Sequence, residues 1–283
     1  MRFTKVQGTG NDFILIEPDE KERDWANLAI AMCNRHFGVG GDGILLVLPS
    51  KKADIKMRMF NPDGSEAEAC GNGLRCVVRY AIEKGVASKS DISVETIAGI
   101  RRAKVFRERG RPLQIQVTMG KPAFKAEEIP VTLKLDKKLL NIKSMLDYPV
   151  TVGGQKLRLN FVSMGNPHAV YFTDKPVEDF PLAQIGPMVE NHRIFPQRAN
   201  FEVARVLNRK EIEERTWERG AGETLACGSG ISAVAVASKL LGYTDSKVNI
   251  RASGGNLNVE WDGKSEVMLG GPAETVFTGF YPD

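Results

Sequence analysis

Ala-Cys-Gly-x-Gly occurs twice in this 283-residue chain, within EACGNG at 68–73 and LACGSG at 225–230, and the two copies use two of only four cysteines. Each cysteine stands just before a helical pattern: GNGLRCVVRYAIEKG after Cys70 and GSGISAVAVASKLLG after Cys227. A helix N-terminus exposes unpaired N–H groups and carries positive partial charge. A thiol placed there is expected to ionise more readily than a free cysteine, which titrates near about 8.5. The flanking glycines, Gly71 and Gly73 in one copy and Gly228 and Gly230 in the other, let backbone approach a bound anion. Each copy therefore offers a base and an anion-holding turn. Two such copies facing one ligand suit proton transfer at a carbon next to a carboxylate. One thiolate removes a proton, the other thiol returns one with inversion, and both turns stabilise the intermediate.

The polar residues near these motifs fit an amino-acid ligand. Asn11, Asn61, Asn72, Asn166 and Asn200 lie at expected strand ends or motif turns, and their amides can meet both ammonium and carboxylate. Glu218 and Arg219 form an opposite-charge pair before the second cysteine, suited to a second zwitterionic centre. His168, in GNPHAV, is placed to assist thiol deprotonation. Cys33 and Cys76 fall among Ala31, Met32, Val77 and Val78 in helical stretches and read as core thiols.

Strand-like runs must carry these groups. NDFILIE, GILLVL, DIKMRMFN, DISVETI, AKVFRE and LQIQVTM fill the first half. KLRLNFV, HAVYFT, NFEVARVL, KVNIRAS, NLNVEW, EVMLG and TVFTGF fill the second. DWANLAIAMCNRHFG reads as a helix ending near Gly38, and PLAQIGPMVENH as its counterpart, interrupted at Gly186-Pro187. The helix after Cys227 is apolar almost all round, so it belongs inside a sheet rather than on a surface. GNDFIL at 10–15 and GNPHAV at 165–170 are offset by 155 residues, and the cysteines by 157. Order and spacing together indicate an internal duplication. Residues 122–156 are the least patterned, and the crossing between units is expected near 121–130.

GTGNDF, HFGVGGDG, FNPDGSEAEACGNGLRC, GNPHAV, RANFEV and ERGAGETLACGSG, spread from residue 8 to 230, together resemble the diaminopimelate epimerase family. The resemblance implies an α/β (α+β) fold of two pseudo-symmetric domains, each a curved mixed β-sheet around a central buried helix. These would span 1–125 and 126–273, with a C-terminal strand at 274–283 returning to the first. It implies an active site between the domains, a homodimer, and interconversion of LL- and meso-diaminopimelate for lysine and cell-wall synthesis, without cofactor or metal. Carried over residue by residue, Cys70 and Cys227 are the acid/base thiols, and His168 and Glu218 support them. The ligand contacts become Asn11, Asn61, Gly71, Asn72, Asn166, Asn200, Glu218, Arg219, Gly228 and Ser229. Gly43 departs from the pattern, because some members have a glutamine there.

Composition excludes several other classes. The net charge is +4, from 39 Lys and Arg against 35 Asp and Glu, and the basic residues are scattered, so a nucleic-acid partner is not expected. No apolar run reaches membrane-spanning length, and MRFTKVQGTGNDF does not read as a signal peptide, which points to a cytoplasmic protein. GVGGDG at 38–43 matches a dinucleotide fingerprint literally, but a helix precedes it and a strand follows, the reverse of what that site needs. Cysteine spacing does not suit zinc. A proline-type racemase shares the two-thiol logic, and a thiol switch or non-catalytic ligand-binding protein shares the cysteines. The Glu218-Arg219 pair and the motif context favour the epimerase.

Overall fold

A computed structural model describes residues 1–18, 23–67, 70–86, 90–107, 113–133 and 142–282. Four stretches read from sequence reach beyond these: Glu68 and Ala69 before Cys70, Glu108 at the end of AKVFRE, residues 134–141 within the weakly patterned 122–156, and Asp283 at the C-terminus. The chain divides into two units, Met1–Thr118 with Gly270–Asp283, and Met119–Leu269. No helix among the described residues is long and apolar enough to cross a membrane.

The first unit begins with the hairpin of β1 (Arg2–Gly8) and β2 (Asn11–Ile16), joined by Thr9 and Gly10. Both turn residues have positive φ, 58° and 81°, the geometry of a tight two-residue turn whose twist suits the strands. Then come α1 (Trp25–Cys33), β3 (Ile44–Leu48), β4 (Ile55–Phe60), β5 (Glu66–Ala67), α2 (Gly71–Glu83), β6 (Asp91–Thr96), β7 (Gly99–Phe106) and β8 (Gln114–Gly120). Pairing runs β1–β2 antiparallel, β2–β3 parallel, β3–β4 antiparallel, β4–β6 parallel, β6–β7 antiparallel, with β5 beside β4. Buried Phe13, Leu15, Leu45 and Met57 alternate with Ile14, Ile16, Ile44 and Leu46, which pack with Trp25, Met32 and Phe60. Strands buried on both faces lose the polar alternation of a half-exposed sheet.

The second unit holds β9 (Tyr148–Val152), β10 (Gln155–Ser163), β11 (Pro167–Phe172), α3 (Leu182–Glu190), β12 (Asn200–Asn208), β13 (Glu211–Glu218), β14 (Gly222–Thr224), α4 (Gly228–Leu240), β15 (Lys247–Ala252) and β16 (Gly255–Glu260). Pairing runs β10–β11 antiparallel, β11–β12 parallel, β12–β13 antiparallel, β13–β15 parallel, β15–β16 antiparallel, with β14 beside β13. The order of senses is that of the first unit, so the duplication read from short motifs extends to strand connectivity. The chain leaves through β17 (Val267–Pro272), and β18 (Glu274–Phe280) lies antiparallel on β1, where the Phe3 ring covers Gly279.

Each unit encloses one helix of 13 residues. α2 packs against β1, β2, β3, β4 and β18, and α4 against β10, β11, β12, β15 and β16. Both end at a glycine in left-handed conformation, Gly85 at φ 71° and Gly242 at φ 76°.

Two helix expectations need correction. α1 stops at Cys33 rather than near Gly38, because Asn34 is extended and its side-chain oxygen accepts from the N–H groups of His36 and Phe37. α3 runs through Gly186-Pro187 without interruption. Its apolar face, Leu182, Ile185 and Val189, is buried, and that burial outweighs the hydrogen bond Pro187 cannot donate. Gly186 is required there for a second reason. A Cβ at this position would lie 2.6–2.9 Å from the Trp217 ring, so helix and strand touch through glycine. Gly186→Ala should therefore overpack the contact and destabilise the chain by about 1–3 kcal/mol. A urea midpoint equal to the parent's would show that Trp217 moves aside freely.

Candidate active site

Cys70 is the N-cap of α2, with φ −140° and ψ 121°, and its sulfur accepts the Gly73 N–H at 3.4 Å. The sulfur thus takes one of the N–H groups left unpaired by the helix start. Asn11 arrives from the first hairpin. Its Oδ1 lies 3.9 Å from Cys70 Sγ and accepts from Asn72 Nδ2 at 3.2 Å, while its Nδ2 donates to Asp42 at 2.6 Å. Asp42 also accepts the Asp12 N–H at 3.0 Å, so the GVGGDG loop aligns the start of β2. Arg35 and Lys5 complete this ionic cluster around Asp12 and Asp42. Asn61 is tied into its own turn, donating to Ser65 Oγ at 2.9 Å.

In the second unit the polar groups join into one chain. Cys227 Sγ lies 3.4 Å from Ser229 Oγ, and Asn166 Nδ2 donates to that hydroxyl at 3.3 Å. Asn166 Oδ1 accepts from His168 Nε2 at 2.9 Å, and His168 Nδ1 meets Glu202 Oε1 at 2.6 Å. Since Nε2 faces an acceptor it carries hydrogen, so a proton is shared between Nδ1 and the Glu202 carboxyl. His168 and Glu202 are both fully buried. Asn200 pairs with His168 across the parallel strands, donates to the Pro167 carbonyl at 3.0 Å and accepts the Arg219 N–H at 2.9 Å.

Glu218 and Arg219 form no ion pair with each other among the described residues. Glu218 accepts from Thr224 Oγ1 at 2.6 Å, and Arg219 Nη1 donates to the Gln197 carbonyl at 3.0 Å. Adjacent residues at a strand end project to opposite sides, which separates the two charges.

Gly73 and Gly230 serve packing within each unit. A Cβ at Gly73 would lie 3.0 Å from Leu45, and one at Gly230 would lie 2.7 Å from Glu202 Oε1. These glycines let each helix start close against its own sheet. Gly43 is similarly confined, since a Cβ there would meet the Phe60 carbonyl oxygen at 2.7 Å. This backbone does not accommodate a glutamine at that position.

The thiols outside the motifs are buried. Burial pushes Cys33 up to about 11 and Cys76 up to about 12. The expectation that a helix N-terminus makes both motif thiols acidic fails for Cys227. Its thiol is pushed well above the ordinary value, first by burial and then by the Glu218 and Glu202 carboxylates. The Ser229 contact and the Gly230 N–H oppose this without overcoming it.

The three most deeply buried of the charged residues not singled out from sequence are Arg75, Glu202 and Glu214. Each interrupts an apolar run, Arg75 in LRCVV, Glu202 in NFEVA and Glu214 in EIEERTW, and that interruption was the available signal. Glu214 is 2% exposed, accepts from Thr216 Oγ1 at 2.7 Å and has no hydrogen-bond partner for Oε1 among the described residues. Burial, with Glu202 and Glu218 adding repulsion, pushes its carboxyl up to about 8. The folded chain thus binds this proton more tightly than the unfolded chain, which releases it near about 4.3. Stability is undiminished at low pH and falls as pH rises through this window to about 8. Glu214→Gln keeps the Thr216 contact and removes the titration. It should raise Tm little at pH 5 and most at pH 8–9, by the equivalent of a few kcal/mol. A Tm difference independent of pH would contradict a buried, proton-holding carboxyl.

Comparison with known proteins gives this arrangement a family. The sequence profile described as Diaminopimelate epimerase matches residues 3–125 and 160–276. The diaminopimelate epimerase of Pelotomaculum thermopropionicum is 45% identical over 285 residues, covering 100% of this chain and 99% of the relative. That of Caldanaerobacter subterraneus subsp. tengcongensis is 46% identical over 279 residues, covering 99% and 98%. A solved structure of a probable proline racemase from Agrobacterium radiobacter K84, with bound carbonate, is 18% identical. It matches with a TM-score of 0.72 over 99% of this chain and 92% of its own, which shows a shared fold. With the profile on both units and relatives matched end to end, this chain belongs to the diaminopimelate epimerase family.

Proposed function

We propose that this protein interconverts LL- and meso-diaminopimelate by proton transfer at Cα, with Cys70 and Cys227 as its two acid/base thiols. The observation that carries the reading is the repeated delivery of a cysteine to the N-cap of an enclosed helix, with an asparagine from a hairpin linked to it directly in the first unit and through Ser229 in the second. Family membership supplies the substrate. One thiolate takes the Cα proton, and the other thiol returns a proton to the opposite face. N–H groups at the helix starts, Gly71 and Asn72 in one unit and Gly228 and Ser229 in the other, hold the carboxylate as negative charge develops. The Glu202–His168–Asn166–Ser229 chain orients Cys227 and shares a proton behind it. Asn11, Asn61, Asn166 and Asn200 receive the reacting centre, and Glu218 and Arg219 the distal one. The chemistry calls for no pyridoxal cofactor or metal. The same reading places the protein in the cytoplasm as a homodimer, in lysine and cell-wall precursor synthesis.

A proline-type racemase has the same fold, so the fold does not discriminate between the two. Substrate does: purified chain with EDTA and no pyridoxal phosphate should convert LL-diaminopimelate to the meso form and leave proline unchanged. In D2O the product should carry deuterium at the inverted carbon from the first turnover, and early recovered substrate should carry less. Cys70→Ala or Cys227→Ala should abolish inversion, and serine at either position should slow it by roughly 10²–10⁴-fold. Inversion without deuterium uptake would rule out two separate bases.

Arg219 offers an independent check on the distal centre. Leaving a ligand carboxylate unpaired typically costs about 2–5 kcal/mol. Arg219→Ala should therefore lower kcat/KM for diaminopimelate by about 30-fold or more. Wild-type kinetics in this variant would make Arg219 a structural residue.

A further inference from the structure

Glu190 is the last residue of α3 and is buried. Both conditions disfavour a carboxylate, since burial strips its hydration and a helix C-terminus carries negative partial charge. Three donors meet it there. Its Oε2 accepts from Trp217 Nε1 at 2.7 Å. Its Oε1 accepts from the Gly220 N–H at 3.0 Å and from Arg198 Nη1 at 3.2 Å. The Glu190 main-chain carbonyl accepts the Ala199 N–H at 3.2 Å. One residue thus binds two segments that carry expected ligand contacts: 198–200, which ends at Asn200, and 217–220, in which Glu218 and Arg219 stand between two residues anchored on the same carboxylate.

The second segment contains a tight turn. The Ala221 N–H bonds to the Glu218 carbonyl at 3.1 Å and Gly220 is at φ 79°, the geometry of a type II turn with Arg219 at its first corner. Glycine also accepts the type I alternative, and the two differ by a half-rotation of the peptide between Arg219 and Gly220. That rotation would swing the Gly220 N–H away from Glu190. The carboxylate therefore selects one orientation of this peptide, and with it the direction in which Arg219 leaves the turn. Trp217 fixes the approach to the turn, because its ring lies against Gly186 of α3 and its N–H ends on Glu190. Arg219 is held in turn by Asn200 and by the Gln197 carbonyl, next to the segment that Glu190 also binds. The corresponding turn of the first unit, before Cys70, closes on itself: Asn61 and Asp63 both bond to Ser65, and α1 carries no carboxylate.

We propose that Glu190 is a positioning residue of the second unit: its carboxylate, bonded on both sides of the Glu218-Arg219 pair, holds that pair in the direction that receives the distal ammonium and carboxylate of the substrate. The proposal rests on the epimerase reading for its catalytic meaning, and its first test needs no substrate.

Amide hydrogen exchange is followed by NMR on the full chain. Glu190→Gln turns one oxygen into an NH2, which donates and cannot accept. The Gly220 N–H should then exchange about 10-fold faster or more relative to the amides of α4, which report global opening. With diaminopimelate, KM should rise by about 10-fold or more while kcat is nearly kept, because contacts to a centre that does not react are lost equally from ground and transition states. Glu190→Asp keeps the charge at shorter reach and should recover part of both effects. An unchanged relative exchange rate at Gly220 in Glu190→Gln overturns the proposal. So does a fall in kcat at unchanged KM, which would mean that Glu190 acts on the reacting centre. If Glu190→Gln fails to fold, Glu190→Asp decides by the same two measures. A wild-type chain inactive on diaminopimelate would sink the functional reading and leave the exchange result standing.

Discussion

A helix enclosed by its own sheet must find acceptors for the N–H groups at its start, and in both units that constraint falls on a cysteine. Water cannot satisfy those groups where Gly71, Asn72 and Gly73, or Gly228 and Gly230, are buried. Side chains, or a bound anion, must do so. Cys70 answers directly through its sulfur. Cys227 meets its helix start more weakly: its sulfur lies 3.4 Å from Ser229 Oγ, and the Gly230 N–H stabilises it only in part. The small residues that follow each cysteine have the same origin, because a helix can begin against its strands only where Leu45 or Glu202 finds no Cβ in the way. The capping cysteine and the glycine pattern are both consequences of one buried helix start.

Duplication supplied the frame twice, and the charges within it then diverged. The strand senses repeat in order, and both central helices have 13 residues. Their interiors differ. α2 encloses an arginine, and the strands beneath α4 enclose Glu202 and Glu214. A buried charge acts through low dielectric, so one substitution inside a unit changes the proton affinity of its thiol far more than a surface charge could.

The sequence showed this frame well where physics is local. Paired ACGxG motifs, capping glycines and apolar strands all lie within a few residues of one another. The strands it missed have identifiable reasons. β1, read only as the chain's start, mixes Arg2, Lys5 and Gln7 with its apolar residues, and it is recognisable chiefly through its partners β2 and β18. β13 reads EIEERTWE, whose charges conceal an alternation in which Ile212, Glu214 and Thr216 point inward. β9 lies in the weakly patterned stretch 122–156 and is defined by its pairing with β10. Among site residues, the asparagines and the histidine were legible because they sit in motifs. Arg75, Glu202 and Glu214 were not, because their meaning depends on burial, which is set by the whole sheet.

The proton affinity of Cys227 shows how tertiary context overrides a local rule. The helix terminus favours its thiolate, and that effect is typically worth about 0.3–1 kcal/mol, up to about 2 when partly buried. Complete burial and nearby carboxylates act in the opposite direction, and each can exceed it. Burial therefore keeps the proton on the Cys227 thiol, and the Ser229–Asn166–His168–Glu202 chain holds the sulfur's neighbours in place. Glu202, at the far end of that chain, is itself raised by burial, and its carboxyl is bonded to His168 Nδ1 at 2.6 Å. The network can thus remain intact through a change of protonation at the sulfur, because the proton it shares lies three hydrogen-bonded contacts away.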